Sequence, residues 1–102
     1  MKINTDPEVE YLMDSLEMPA HSKVLRKINL LENFSLSLGM PHVRSMGEGL
    51  FELRVRGSQE VRIFYCYYKD QIYMLSGFIK KTQQTPEREI LKARNKYKFL
   101  TS

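Results

Sequence analysis

The sequence predicts an α+β domain of two N-terminal helices, a three-stranded antiparallel sheet and a C-terminal helix. Apolar residues recur at helical spacing over the first third of the chain. Three later runs are rich in β-branched and aromatic residues, with turn signals between them. Thr85-Pro86 then opens a last helical pattern. With 102 residues, 42% of them apolar, the chain fits one ordered domain over residues 1–102 with a modest core.

The first helix begins at Asp6-Pro7, a good N-cap followed by a residue suited to the first turn. Val9, Leu12, Met13 and Leu16 give it an apolar face, and Met18-Pro19 ends it. The second helix carries Val24, Leu25, Ile28, Leu31 and Phe34 on its stripe, and the two helices are expected to pack as a hairpin. "SLSLGMPHVRSMGEG" holds glycines and a proline and reads mostly as loop. "GLFELRVRG" alternates, with Phe51, Leu53 and Val55 on one side and Glu52, Arg54 and Arg56 on the other. "EVRIFYCYYKD" and "QIYMLSGFIKK" complete the meander, joined by the loop "RGSQE" and the tight turn "YKDQ". Thr85 is placed to cap the last helix, with Ile90, Ala93, Tyr97 and Leu100 on its apolar face. All helices are expected on one face of the sheet, leaving the other available.

Net charge is +4, and most cations lie from Arg54 onward, which suggests an anionic partner. In a meander the end of the third strand lies beside the start of the second, and so does the end of the first. Arg54, Arg56, Arg62, Lys80 and Lys81 therefore converge at one end of the sheet. Singly, each reads as a solvated strand end. Together they suit a phosphate chain, with arginine forks and lysine point charges. Tyr65, Tyr67, Tyr68 and Tyr73 offer surfaces on which bases could stack, although alternation on a sheet puts most aromatics in a core. His42 is placed to reach the open sheet end from its loop, and His21 reads as a surface residue.

Other chemistry finds little footing. The single cysteine, Cys66, excludes an internal disulfide and the common Cys/His zinc patterns, and its apolar surroundings make it an inert packed thiol. There is no phosphate loop, no His-Glu-x-x-His and no nucleophile elbow. No cofactor or metal is expected. No apolar run approaches the ~20 residues that span a bilayer, and no signal peptide is visible, so a cytoplasmic protein without membrane contact is expected.

The motifs "GMPHVR", "LFELRV", "VRIFY", "GFIKKTQQTP" and "EILKARNKY" together resemble the RelE/ParE toxin superfamily, in its phage-derived HigB-like branch, over residues 6–98. The resemblance implies a RelE-like fold and the toxin of a type II toxin–antitoxin pair. It implies a metal-independent, ribosome-dependent mRNA endonuclease (mRNA interferase) that inhibits translation. Its partners would be the ribosome, mRNA and a helix-turn-helix antitoxin protein. On these motifs Arg54 matches a residue that contacts the RNA backbone, and Arg62 one that stabilises the cleaved phosphate. Lys80 and Lys81 stand where related toxins place a catalytic basic pair, and strand alternation suggests that only one of them faces the site. The catalytic residues expected on this footing are Arg62, Lys80 and Lys81, with Arg54 on the RNA backbone. Arg56 from the strand topology, Tyr65 as a stacking surface and His42 from its loop position are expected to bind RNA beside them. Glu52 departs from the pattern, standing where some relatives have a second lysine. A tyrosine used by some relatives near the last helix has no counterpart. Many relatives also begin with an extra strand, for which "MKINT" leaves little room, so it is expected to be short or missing. A ParE-like gyrase poison, a plain RNA-binding module and a non-catalytic, antitoxin-binding member of the fold are the alternatives.

Overall fold

Ile3–Thr5 form the first strand, β1, so the N-terminal strand is present and only three residues long. A computed structural model describes all residues, Met1–Ser102. The Asn4 amide donates to Gln71 Oε1 at 2.9 Å and to the Ile72 carbonyl at 3.2 Å, which ties β1 to the last strand. Asp6 then caps helix α1 (Pro7–Ser15), accepting from the Glu8 N–H at 2.9 Å. Helix α2 (Met18–Phe34) takes Pro19 in its first turn, where a missing N–H costs nothing. Its buried stripe is Ala20, Val24 and Leu31. Leu25 and Phe34 are exposed instead of buried. Leu25 lies about 100° around the helix from Val24, and Phe34 is the final helical residue. The two helices are less a hairpin than two neighbours, α1 packed on strand β5 (Gln71–Ile79) and α2 on β3 (Leu50–Val55).

Val43–Gly47, within the segment expected to be loop, form strand β2. It pairs antiparallel with β3, setting Val43 opposite Leu53 and Arg44 opposite Glu52. Gly47, Glu48 and Gly49 close the turn with φ of 85°, 51° and 81°, a conformation that favours glycine at its two ends. Strand β4 (Val61–Tyr68) turns into β5 through Lys69 and Asp70, both at positive φ, as a two-residue hairpin requires. The sheet therefore has five strands in the order β1-β5-β4-β3-β2, with β1 parallel to β5 and all other pairs antiparallel. The expected three-stranded antiparallel meander is its centre, flanked by two short edge strands.

Helix α3 (Glu87–Thr101) lies on the opposite face from α1 and α2, so the helices do not share one face. One core joins Val9, Val24 and Leu31 to Leu53, Ile63, Tyr65 and Ile72. The other joins Ala93 to Leu50, Phe64, Cys66 and Leu75. Strand β4 dictates this arrangement, because "VRIFYCYY" is apolar on both sides and both must be covered. Cys66 is fully buried, which pushes its thiol up to about 11 and leaves it protonated and inert at neutral pH.

Thr85 does not cap α3: Pro86 is the N-cap residue, and no side chain caps this end. The middle of α3 is tied to the start of α1 instead. Lys96 lies 3.0 Å from Asp6 and 3.1 Å from Glu8, and Lys92 lies 3.0 Å from Glu8. Burial pushes the Glu8 carboxyl up, but the hydrogen bonds from Lys92 and Lys96 outweigh it and hold Glu8 below the usual carboxylate range. The Glu8 hydrogen bond raises Lys92. Lys96 is raised too, its bonds to Asp6 and Glu8 overcoming partial burial. No helix is long and apolar enough to cross a membrane.

Candidate functional site

Helix α3 covers only part of its face of the sheet. At the end where β4 begins and β5 stops, that face opens into a cleft of about 640 Å³, lined by Arg44, Arg54, Arg56, Glu60, Arg62, Lys80, Lys81, Thr82 and Gln83. No apolar side chain lines it. The strand register builds the cleft. Arg54 lies directly opposite Arg62, and Val61 pairs with Ile79, so Lys80 follows alongside Glu60. The Lys80 N–H donates to the Glu60 carbonyl at 2.6 Å and fixes that edge.

Arg54, Arg56, Arg62, Lys80 and Lys81 are brought together as the topology requires. Both lysines line the cleft, not one. Regular strand geometry ends at Ile79, so the alternation that would separate two neighbours no longer applies beyond it. Two expected residues lie elsewhere. Tyr65 is 1% exposed and belongs to the core beneath α1 and α2, its ring centroid 5.6 Å from that of Phe51. Burial raises its phenol pKa, and it presents no stacking surface. Tyr67 packs against the same core, and Tyr68 pairs edge-on with Tyr73 at the opposite end of β4, so no aromatic ring lines the cleft. His42 does not reach the open end either. The Lys27 ammonium, which has only donors, donates to its Nδ1 at 2.6 Å and holds the ring toward α2.

Four contributors were not singled out from the sequence as site residues. Arg44 was hidden in the segment read as loop. Glu60 and Thr85 lay at element ends, where facing is hard to read. Glu52 carried a usable signal, since alternation set it on the same side as Arg54 and Arg56.

Two carboxylates manage the charge. Glu52 is 1% exposed, and its Oε1 lies 3.8 Å from Arg54 Nε and 3.9 Å from Arg62 Nε. These distances give attraction but not a hydrogen bond. Thr85 Oγ1 donates to the other Glu52 oxygen at 3.2 Å, which fastens the loop before α3 to the cleft floor. Arg62 is also 1% exposed, an unusual place for a guanidinium. It donates from Nη1 to the Val61 carbonyl at 3.1 Å and from Nη2 to Glu60 Oε2 at 3.0 Å. The Nε–H groups of Arg54 and Arg62 have no hydrogen-bond acceptor. Six cations against the carboxylates of Glu52 and Glu60 give this one cleft an excess of +4, equal to that of the whole chain. An arrangement of this kind attracts and orients a polyanion, with bidentate arginine contacts available to phosphate oxygens.

A second groove, of about 700 Å³, runs between β1, β5 and α3 past Tyr73, Leu75, Phe99 and Leu100. Its one cation, Lys96, is already engaged by Asp6 and Glu8, so it has no free charge to hold phosphate. No three His, Cys, Asp or Glu side chains gather where they could hold a metal ion.

A family model described as phage-derived protein Gp49-like (DUF891) matches residues 12–98, a span that contains every residue of the cleft. No curated protein matches the chain.

Proposed function

The chain belongs to the phage-derived Gp49-like family, and on that footing we propose that it is the toxin of a type II toxin–antitoxin pair, an endonuclease that cuts ribosome-bound mRNA and stops translation. The basic cleft carries this reading: six cations, no apolar lining, and two arginines anchored from below by a buried glutamate. The resemblance of the motifs around Arg54, Arg62, Lys80 and Lys81 to RelE/ParE toxins supports it.

In the proposed reaction the RNA 2′-oxygen bonds to the adjacent phosphorus while the bond to the 5′-oxygen breaks. The 2′-proton is lost to a base, the departing oxygen gains a proton, and the products end in a 2′,3′-cyclic phosphate and a 5′-hydroxyl. Negative charge builds on the phosphoryl oxygens, where arginine forks and lysine point charges stabilise it without a metal. The cleft offers phosphate contacts and no ring on which to stack a base. Phosphate contacts position a strand but do not select its sequence, so another body must present the strand in a cleavable shape, and the ribosome fills that role. A helix-turn-helix antitoxin would neutralise or cover the cations.

The test is a reconstituted translation reaction. Codon-positioned breaks are expected with ribosomes present and none in free mRNA. Intact mRNA together with inhibited gyrase supercoiling would favour a ParE-like poison. Cleavage that persists when the antitoxin is bound would contradict the proposed mode of neutralisation.

A further inference from the structure

The two carboxylates of the cleft are held in opposite ways. Glu52 is buried beneath the arginines and bonded to Thr85, so a ligand entering from solvent cannot dislodge it. Glu60 stands at the cleft wall, its backbone fixed by the Lys80 N–H and its side chain 35% exposed. Its Oε2 is 3.0 Å from Arg62 Nη2 and its Oε1 is 3.6 Å from Arg56 Nη1. Two oxygens on one group thus bridge two guanidinium groups, as two oxygens of a phosphate would. Its pair with Arg56 is exposed and holds weakly, and its pair with the buried Arg62 is reached only from the part-exposed Glu60 side. A backbone phosphodiester carries the same charge and two equivalent acceptor oxygens with which to replace the carboxylate on both.

We propose that Glu60 is a displaceable internal carboxylate, occupying the phosphate position on Arg56 and Arg62 until RNA enters and takes both arginines. The proposal rests on the reading of the cleft as an RNA site. Glu60 lowers affinity for loose phosphate chains, so a strand must be well presented to displace it. It is a specificity-determining residue.

The test uses the purified protein and a fluorescein-labelled single-stranded RNA with 2′-O-methyl sugars, which cannot be cleaved, read by fluorescence anisotropy at one fixed salt concentration. Glu60→Gln should tighten binding about fivefold. Removing any negative charge from a basic protein aids binding slightly, so Glu32→Gln, on an exposed position of α2 outside the cleft, measures that general effect and should change affinity less than about twofold. Glu60→Asp keeps the charge but is about 1.5 Å shorter, too short to bridge both arginines. It should also tighten binding by more than Glu32→Gln does. Glu60→Gln no tighter than Glu32→Gln overturns the proposal, as does Glu60→Asp matching wild type. If wild type binds the RNA and Glu60→Gln binds it equally, the proposal fails and the RNA site stands. If neither protein binds, both fail. Glu60→Gln that loses cleavage in the translation reaction without binding more tightly would make Glu60 a proton acceptor instead, and would also overturn the proposal.

Discussion

Glu52 and Arg62 stabilise each other where neither would be tolerated alone. Both are 1% exposed. Removing Glu52 takes from Arg62 its one fully buried counter-charge, leaving only the part-exposed Glu60, and takes from Arg54 its only carboxylate. Glu52→Gln should therefore lower stability by about 3 kcal/mol, read from the urea denaturation midpoint. An unchanged midpoint would show that the two charges do not depend on each other. Tyr65 tests the opposite assignment. Tyr65→Phe should leave mRNA cleavage at the wild-type rate, because the ring faces the core and not the cleft, whereas Tyr65→Ala should cost about 3–5 kcal/mol of stability. The positions of Arg62 and Lys80 were legible because antiparallel strands fix which ends meet. The facing of Tyr65 was legible as well, since it lies an odd number of residues from Arg62 and alternation sets it on the other side of the strand. What was not legible is that this other side is sealed by α1 and α2, because the run is apolar on both sides and the placement of the helices is not written in it.

Among the elements, α3 depends on side-chain pairing along its middle turns. Glu8 is held below the usual carboxylate range, so its contribution is fully present above the ordinary glutamate value of about 4.3 and is lost as pH falls through its lowered value. Lys92 and Lys96 are raised, so theirs is present below the ordinary lysine value of about 10.4 and is lost as pH rises through the raised values. These groups are partly exposed, and solvent screening limits the network to about 1 kcal/mol. Glu8→Gln should destabilise by that amount at pH 7 and by nothing measurable near pH 2, compared by chemical denaturation. An equal loss at both pH values would mean that Glu8 acts through packing. Element boundaries were legible where caps and turns are local, as at Asp6-Pro7 and Lys69-Asp70. Strand β2 was not, because it is an edge strand in which only Val43 is buried. Its evidence is backbone pairing with β3, which side-chain pattern does not record. Thr85 had the right chemistry for a cap, but the glutamate across the cleft took its hydroxyl.

At the scale of the whole molecule, a sheet covered on both faces leaves one uncovered end, and the chain concentrates its excess charge there. The basic half of the cleft could be inferred from strand order. The acidic half could not, because the value of Glu52 and Glu60 lies in distances to arginines on neighbouring strands and turns. If the cleft cuts mRNA, the lysines beyond β5 can be removed without unfolding the protein, since Lys80 is half-buried, Lys81 is exposed, and the bond to Glu60 uses only the Lys80 backbone. Cleavage by a Lys80→Ala, Lys81→Ala double variant in the ribosome-containing translation reaction is thus the most direct measurement. The breaks should fall by about 100-fold or more while the denaturation midpoint stays at the wild-type value. Wild-type cleavage by the double variant would contradict a catalytic role for the basic cleft.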